Sequence, residues 1–240
     1  MSHLGLPQFL RGIDTLIHFQ ETVMPVIDYY NGFAERYDPM SVKYHWYSPQ
    51  IMFGLLFDLL PDDPTILDVG IGTGLSSSQF KKIGAKIVGI DGSKEMLRRC
   101  REKYIAVDLF CLDIEKEPFP VFKEPFDIVI SNGVFYFFHD IVKPFLKCAQ
   151  LVRSGGYLSI NFESTQRNVY EAYENYSHSY IEENPVGKTG VITYRHHPSL
   201  FDRVARAAGM KELRRAKYYA YTSPQTGEEI FFTIAVWQKR

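Results

Sequence analysis

The sequence predicts an α/β fold built on a doubly wound, mostly parallel sheet, with helices on both faces and an N-terminal helical lid. Three observations predict it. Short apolar strands alternate with helical stretches from Thr65 to Phe162, which is the pattern of βαβ units. The first of these strands runs straight into glycines at 70, 72 and 74. Near the end, two strand-like runs are joined by the short, turn-rich link 222–227, which permits only an antiparallel pair.

The elements follow in order. Residues 1–60 read as amphipathic helix, with breaks at Pro25, Pro39 and Pro49 and with Phe33, Tyr37 and Met40 at helical spacing. Pro61-Asp62-Asp63-Pro64 divides this lid segment from a domain over 61–240. Thr65–Val69 is the first strand. A helix over 75–83 follows, closed by Gly84. Lys86–Ile90 is the second strand, and Ser93 caps a helix reaching Lys103 with Glu95 in its first turn. Residues 106–112 form a third strand. Phe126–Ser131 is a fourth, apolar enough to be buried on both faces. Asp140 caps a helix with an apolar stripe at Val142, Phe145, Leu146, Ala149 and Val152, stopped by Gly155-Gly156. Tyr157–Phe162 is a fifth strand. Residues 163–197 form a long connection expected to cover the substrate, with Tyr170, Tyr173, Tyr176 and Tyr180 on one helical face. His178, His196 and His197 also lie there, where histidines are mostly solvated. A helix over 198–208 closes at Gly209, and strands over 213–221 and 229–237 complete the sheet, which thus has one antiparallel strand near an edge.

Composition narrows the function classes. The 240 residues carry 27 Lys and Arg against 28 Asp and Glu, a balance that disfavours nucleic acid or anionic lipid as partner. Three widely spaced cysteines, Cys100, Cys111 and Cys148, show no zinc spacing and read as free thiols, and no metal site is expected. No secretory leader is legible, and the apolar run Ile51–Leu60 is too short to span a bilayer. A cytoplasmic monomer or homodimer is expected. Aromatic residues reach 15%, with 16 Tyr and 18 Phe.

The chemistry concentrates at strand ends. Gly70, Gly72 and Gly74 strip side chains from the loop after the first strand, so a ligand can touch its backbone. The spacing is Gly-x-Gly-x-Gly, not the Gly-x-Gly-x-x-Gly that suits a dinucleotide. Asp68 at the strand end would repel a pyrophosphate but suits an ammonium group. Asp91 ends the second strand, 19 residues after Gly72, where a carboxylate accepts from ribose hydroxyls. Asp113 follows the third strand and can accept from an adenine amino group, with Leu112 and Ile114 flanking the ring. Three acids at successive strand ends describe one nucleoside with a cationic tail.

With these motifs the sequence resembles the class I (Rossmann-like) S-adenosylmethionine-dependent methyltransferases, in their small-molecule branch. The landmarks are Leu-Asp-Val-Gly-Ile-Gly-Thr-Gly at 67–74, Gly-Ile-Asp-Gly-Ser at 89–93, Leu-Asp-Ile-Glu at 112–115, Phe-Asp-Ile-Val-Ile-Ser-Asn at 126–132 and Leu-Val-Arg-Ser-Gly-Gly-Tyr-Leu at 151–158. The resemblance implies a seven-stranded sheet with the last strand antiparallel, and S-adenosylmethionine as cofactor. It implies that Asp68 and the loop hold the methionine part, that Asp91 holds the ribose and Asp113 the adenine end between Leu112 and Ile114, with Gly92 and Met96 also at the cofactor. Ser131 and Asn132 close the fourth strand beside them, and Tyr37 would close over the cofactor from the lid.

The stretch Gly133-Val-Phe-Tyr-Phe-Phe-His139 departs from the family's commoner versions and leaves the base unassigned; Tyr136 and His139 are the catalytic candidates. A small-molecule acceptor is implied. An RNA or protein methyltransferase, a nicotinamide-dependent oxidoreductase and a non-enzymatic partner-binding module remain the alternatives. Arg98, Arg99, Arg101 and Lys103 read as a solvated helix face, and Lys211, Arg214, Arg215 and Lys217 as edge-strand decoration.

Overall fold

A computed structural model describes residues 24–164, 184–185, 191–222, 227 and 229–240. The expectations placed on 1–23, on Tyr170, Tyr173, Tyr176, Tyr180 and His178, and on most of the 163–197 connection lie outside these residues.

The strands are β1 (Thr65–Val69), β2 (Lys86–Asp91), β3 (Asp108–Cys111), β4 (Phe126–Ser131), β5 (Val152–Glu163), β6 (Met210–Thr222) and β7 (Glu229–Lys239), in the spatial order β3-β2-β1-β4-β5-β7-β6. Pairing from β3 to β5 is parallel; β7 runs antiparallel to both β5 and β6. The reversed strand therefore sits one place in from the edge, and β6 forms the edge. A separate two-residue ladder joins Asn184–Pro185 to Ile192–Thr193.

The inner strands β1, β4, β5 and β7 are buried on both faces, which is why β1 and β4 read as nearly continuous apolar runs, whereas the edge strands β3 and β6 are largely exposed. Along β1 the side chains alternate: Ile66 packs on the face with Met52, Leu56 and Phe80, while Leu67 and Val69 pack on the other with Phe145, Phe201 and Trp237. The first face is covered by α2 (Ser48–Leu56), α3 (Ser77–Lys82) and α4 (Lys94–Glu102), and the second by α5 (Val142–Gln150) and α6 (Pro198–Ala207). Helix α1 (Val26–Lys43) lies against α4. No helix among the described residues is long and apolar enough to cross a membrane.

Four expectations change. Pro39 lies inside α1 and does not break it; Pro25 sits at the helix N-cap and Pro49 in the first turn of α2, positions that tolerate a missing N–H. Helix α3 begins at Ser77 and not at residue 75, because Ser76 and Ser77 are drawn into side-chain hydrogen bonds with Asn132 and Asp68. Val152 starts β5 instead of ending α5, so Gly155 and Gly156 lie within a strand. They form a bulge between the pairs Phe126–Val152 and Ile128–Tyr157, and a Cβ on Gly156 would come within 2.6 Å of the Asp127 carbonyl oxygen. The arginine face of α4 receives α1: Arg98 and Arg99 pair with Glu35, and Lys103 pairs with Asp38.

Candidate active site

The strand order reverses between β1 and β4, and at such a switch point the carboxyl ends of the strands splay around a crevice. A cavity of about 260 Å³ opens there. Its wall passes from Asp113 and Ile114 after β3, through Asp91 and Gly92 after β2, to Gly70 and Gly72 after β1, and on to Asn132, Gly133 and Val134 after β4.

Asp91 fixes the centre. One carboxylate oxygen accepts from the Gly72 N–H at 2.8 Å and the other from the Ser93 N–H at 2.8 Å. The loop is held further by Gly70 and Ile71 N–H groups on the Ile90 carbonyl, at 2.7 and 3.0 Å. Burial raises the Asp91 carboxyl above its ordinary range, against the lowering effect of these N–H donors. Ser93 caps α4 as the sequence suggests, its hydroxyl oxygen accepting from Met96 N–H. Gly70 has φ +82°, and a Cβ there would fall 2.1 Å from Val134 Cγ2, so the loop and the segment after β4 meet with no room for a side chain.

Asp113 bends around its own turn. Its Oδ1 accepts from the N–H groups of Glu115 and Lys116 at 3.0 and 3.2 Å, and Oδ2 lies 3.0 Å from the Lys116 ammonium. Partial burial raises its pKa, but Lys116 and these N–H donors outweigh that and hold the carboxyl below the usual range.

Of the residues expected at the cofactor, the structure brings Tyr37, Gly70, Gly72, Asp91, Gly92, Met96, Asp113, Ile114 and Asn132 to this one cavity. The rest stand behind it among the described residues. Asp68 is 1% exposed and shares the Ile66 face of β1, where its carboxylate accepts the Ser77 hydroxyl at 2.7 Å. Burial pushes it up to about 7, with the nearby Asp91 charge adding to the shift. A Cβ on Gly74 would meet Ile105 and Cys100 at about 3 Å, so Gly74 serves the approach of α4. Leu112 belongs to the core, and the Ser131 hydroxyl donates to the Val69 carbonyl at 2.7 Å.

The two catalytic candidates also lie off the cavity wall. His139 is exposed, its ring edge-on to Tyr194 at 5.5 Å, because a 3-10 turn over Phe135–Phe137 intervenes between β4 and the histidine. Tyr136 is half-buried, its hydroxyl close behind Gly133 and its ring against Phe137 and Phe232. His196 is fully buried and not solvated, its Nε2–H donating to the Phe138 carbonyl at 2.8 Å; burial lowers it to about 4.

Sequence reasoning missed Tyr30, Trp46 and Phe137 as lining residues. Tyr30 was recoverable: it lies seven residues before Tyr37, two helical turns along one face. Trp46 carries no such signal, because the backbone reverses at His45 (φ +54°) between α1 and α2. Buried polar groups support this end. Ser48 donates to Asn132 Oδ1 at 2.6 Å, Asn132 Nδ2 to Ser76 at 3.0 Å, and Asn161 Nδ2 to the Tyr218 hydroxyl at 3.1 Å.

Comparison with known proteins agrees with this geometry. Residues 67–160 match the sequence model of a family described as a methyltransferase domain. A ubiquinone biosynthesis O-methyltransferase of Rhodopseudomonas palustris (strain BisB5) is 29% identical over 100 residues, covering 40% of this chain and 38% of that protein. A malonyl-[acyl-carrier protein] O-methyltransferase of Acetivibrio thermocellus is 32% identical over 118 residues, 46% of this chain and 41% of that one. The chain thus spans about two fifths of the length of the curated relatives it matches. The solved structure of magnesium protoporphyrin IX methyltransferase from Synechocystis PCC 6803, with bound SAH, superposes with a TM-score of 0.63 at 16% identity, covering 90% of this chain and 98% of that one. Residues 67–160 are thus similar to a methyltransferase domain, and the chain shares its fold with the solved magnesium protoporphyrin IX methyltransferase.

Proposed function

We propose that the chain binds S-adenosylmethionine in the cavity at the β1–β4 switch point and transfers its methyl group to a small-molecule acceptor. The observation that carries this reading is Asp91 beside the bare backbone of Gly70 and Gly72, on the same wall as Asp113. Carboxylates set along one wall, with apolar Met96 and Ile114 between them, fit a nucleoside better than a pyrophosphate.

In this reading Asp91 takes the ribose hydroxyls, Asp113 the adenine amino group, and Met96 and Ile114 the faces of the ring. Asp68 acts from behind the loop, as a charge attracting an ammonium and as the anchor of Ser77. When bound, the sulfonium supplies a methyl carbon already activated for in-line displacement. The chain's own contribution is alignment and exclusion of water, and holding reactants in place can supply about 7–11 kcal/mol of the barrier. Tyr37 and Tyr30 from α1 close the cavity on the side away from the sheet. Tyr136 backs Phe137 and does not itself meet the acceptor. His139, facing Tyr194, takes no part. The balanced charge of the chain and an apolar far end favour a small acceptor over RNA.

Calorimetric titration with S-adenosylmethionine and S-adenosylhomocysteine tests the reading. Binding of both by the wild type, lost in Asp91→Ala, supports it. No heat and no thermal shift with either, or stabilisation by NAD instead, overturns it.

A further inference from the structure

Beyond the strand-end acids, the cavity continues into a chamber that none of them explains. Five aromatic side chains line the same space: Tyr30 and Tyr37 from α1, Trp46 from the α1–α2 connection, and Phe137 and Phe138 from the segment after β4. They are set as walls and not as a stack. The Tyr30 ring stands at 75° to Phe137 with centroids 5.6 Å apart, and at 67° to Tyr37 at 6.1 Å. Each of three rings is braced from outside: Trp46 edge-on to Phe232 at 5.3 Å, Phe137 against Tyr136 at 4.4 Å, and Tyr30 edge-on to Tyr29 at 5.3 Å. Strand order places this chamber. Asp113 and Asp91 end β3 and β2, so the opposite end of the cavity, at Asn132 and Gly133 after β4, is the end away from the nucleoside.

Acids outnumber cations along the cavity. Among its described lining residues the ionisable groups other than phenols are Asp91, Asp113, Glu115 and Lys116, and Lys116 is paired with Asp113. Aromatic faces carry negative quadrupole density, so rings and carboxylates together make a space that favours positive charge.

We infer that this end of the cavity is an aromatic cage for positive charge, and that the acceptor atom is an uncharged amine nitrogen. The inference rests on the methyltransferase reading above and names its substrate class. The nitrogen lone pair forms the new N–C bond as the C–S bond breaks and its electrons stay on sulfur. One positive charge thus passes from sulfur to nitrogen within the cage, and none is cancelled. A tertiary amine loses no proton; a primary or secondary amine gives one to water afterwards. A phenolate or carboxylate acceptor would instead bring negative charge against π faces and carboxylates. The O-methylating relatives do not decide the matter, because the matched family segment starts at residue 67, after Tyr30, Tyr37 and Trp46.

The test uses two probes of one shape. Choline and 3,3-dimethylbutan-1-ol differ in having N⁺ or carbon at the branch point. The full chain, saturated with S-adenosylhomocysteine, is titrated with each. The cage predicts choline binding tighter on the order of tenfold. Trp46→Leu and Tyr30→Leu should lose that preference while still binding S-adenosylhomocysteine, and Tyr30→Phe, which keeps the ring, should retain it. Equal binding of the two probes, tighter binding of the alcohol, or binding of neither overturns the cage. Failure of S-adenosylhomocysteine itself to bind overturns the methyltransferase reading, a distinct result read before either probe is added. Should a leucine variant not fold, the Tyr30→Phe protein and the wild type still give the comparison.

Discussion

The Asp91 carboxylate accepts the Gly72 N–H at 2.8 Å, so the end of one strand holds the loop that follows its neighbour. The same side chain also receives the Ser93 N–H at the start of α4. Asp91→Ala leaves both N–H groups without this partner, at a cost of about 1–3 kcal/mol for each one shut away from water. The expected outcome is a lower urea midpoint together with loss of S-adenosylhomocysteine binding. Binding lost without any stability change would mean that Asp91 does not hold the loop.

Asp68 gives the protein a pH-dependent stability of its own. Its carboxyl titrates near 7 in the folded chain and near 3.9 when unfolded. A raised folded pKa means that this contribution is fully present below about pH 4 and is lost as pH rises toward 7. Every tenfold change in proton affinity between the two states corresponds to about 1.4 kcal/mol. Asp68→Asn removes the ionisation, so its stability relative to wild type should climb between pH 4 and 7 and level off above. Denaturant titrations across that range check this; a flat difference would refute it.

Gly70→Ala meets two obstacles, positive φ and the Val134 side chain. A left-handed alanine costs roughly 1–2 kcal/mol, and the clash adds to it. Adding Val134→Ala should recover the clash component and leave the backbone component. Thermal melts of the single and double variants separate the two, and full recovery in the double variant would show that the backbone there is unstrained.

Asp38 ties the lid helix to the glycine loop: it accepts the Thr73 hydroxyl at 2.5 Å and pairs with Lys103. Nearby, Asn31 accepts the Ser93 hydroxyl at 2.8 Å. Asp38→Ala should speed hydrogen exchange over residues 26–43 and accelerate release of S-adenosylhomocysteine several-fold, because a hydrogen bond to a charged group contributes about 1.5–3 kcal/mol. Unchanged exchange would show that the helix is held by its apolar face alone.

Core packing on the second face centres on Phe201, stacked on Phe162 at 3.9 Å and on Trp237 at 6.2 Å. Phe201→Ala should cost about 3–5 kcal/mol in chemical denaturation without altering S-adenosylhomocysteine affinity.

Strands and caps are legible in the sequence wherever one residue settles a local choice. Ser93 caps its helix, Gly84 and Gly209 end theirs with positive φ, and β1 and β4 keep the bounds their apolar runs suggest. Strand-end acids are legible because strand order fixes where their backbones lie. Less legible is anything set by a side chain's direction. The pattern puts Asp68 on the correct strand, yet the two-residue alternation turns it toward α3 with Ile66. It puts His139 on the correct loop, yet a single 3-10 turn carries it to the surface. Gly155-Gly156 reads as a helix stop because a bulge inside a strand and a turn after a helix use the same residue. Trp46 reaches the cavity only through the reversal at His45, which no periodicity announces.

The interleaving of β7 between β5 and β6 sets an order of assembly. β6 precedes β7 in the chain, yet β7 is its strand neighbour, so β6 cannot join the sheet until β7 is made. Until then its thirteen residues can pack against α6 but not against another strand. The strand that completes the sheet is thus an inner one, inserted between two others, so the sheet does not grow by adding one edge strand at a time.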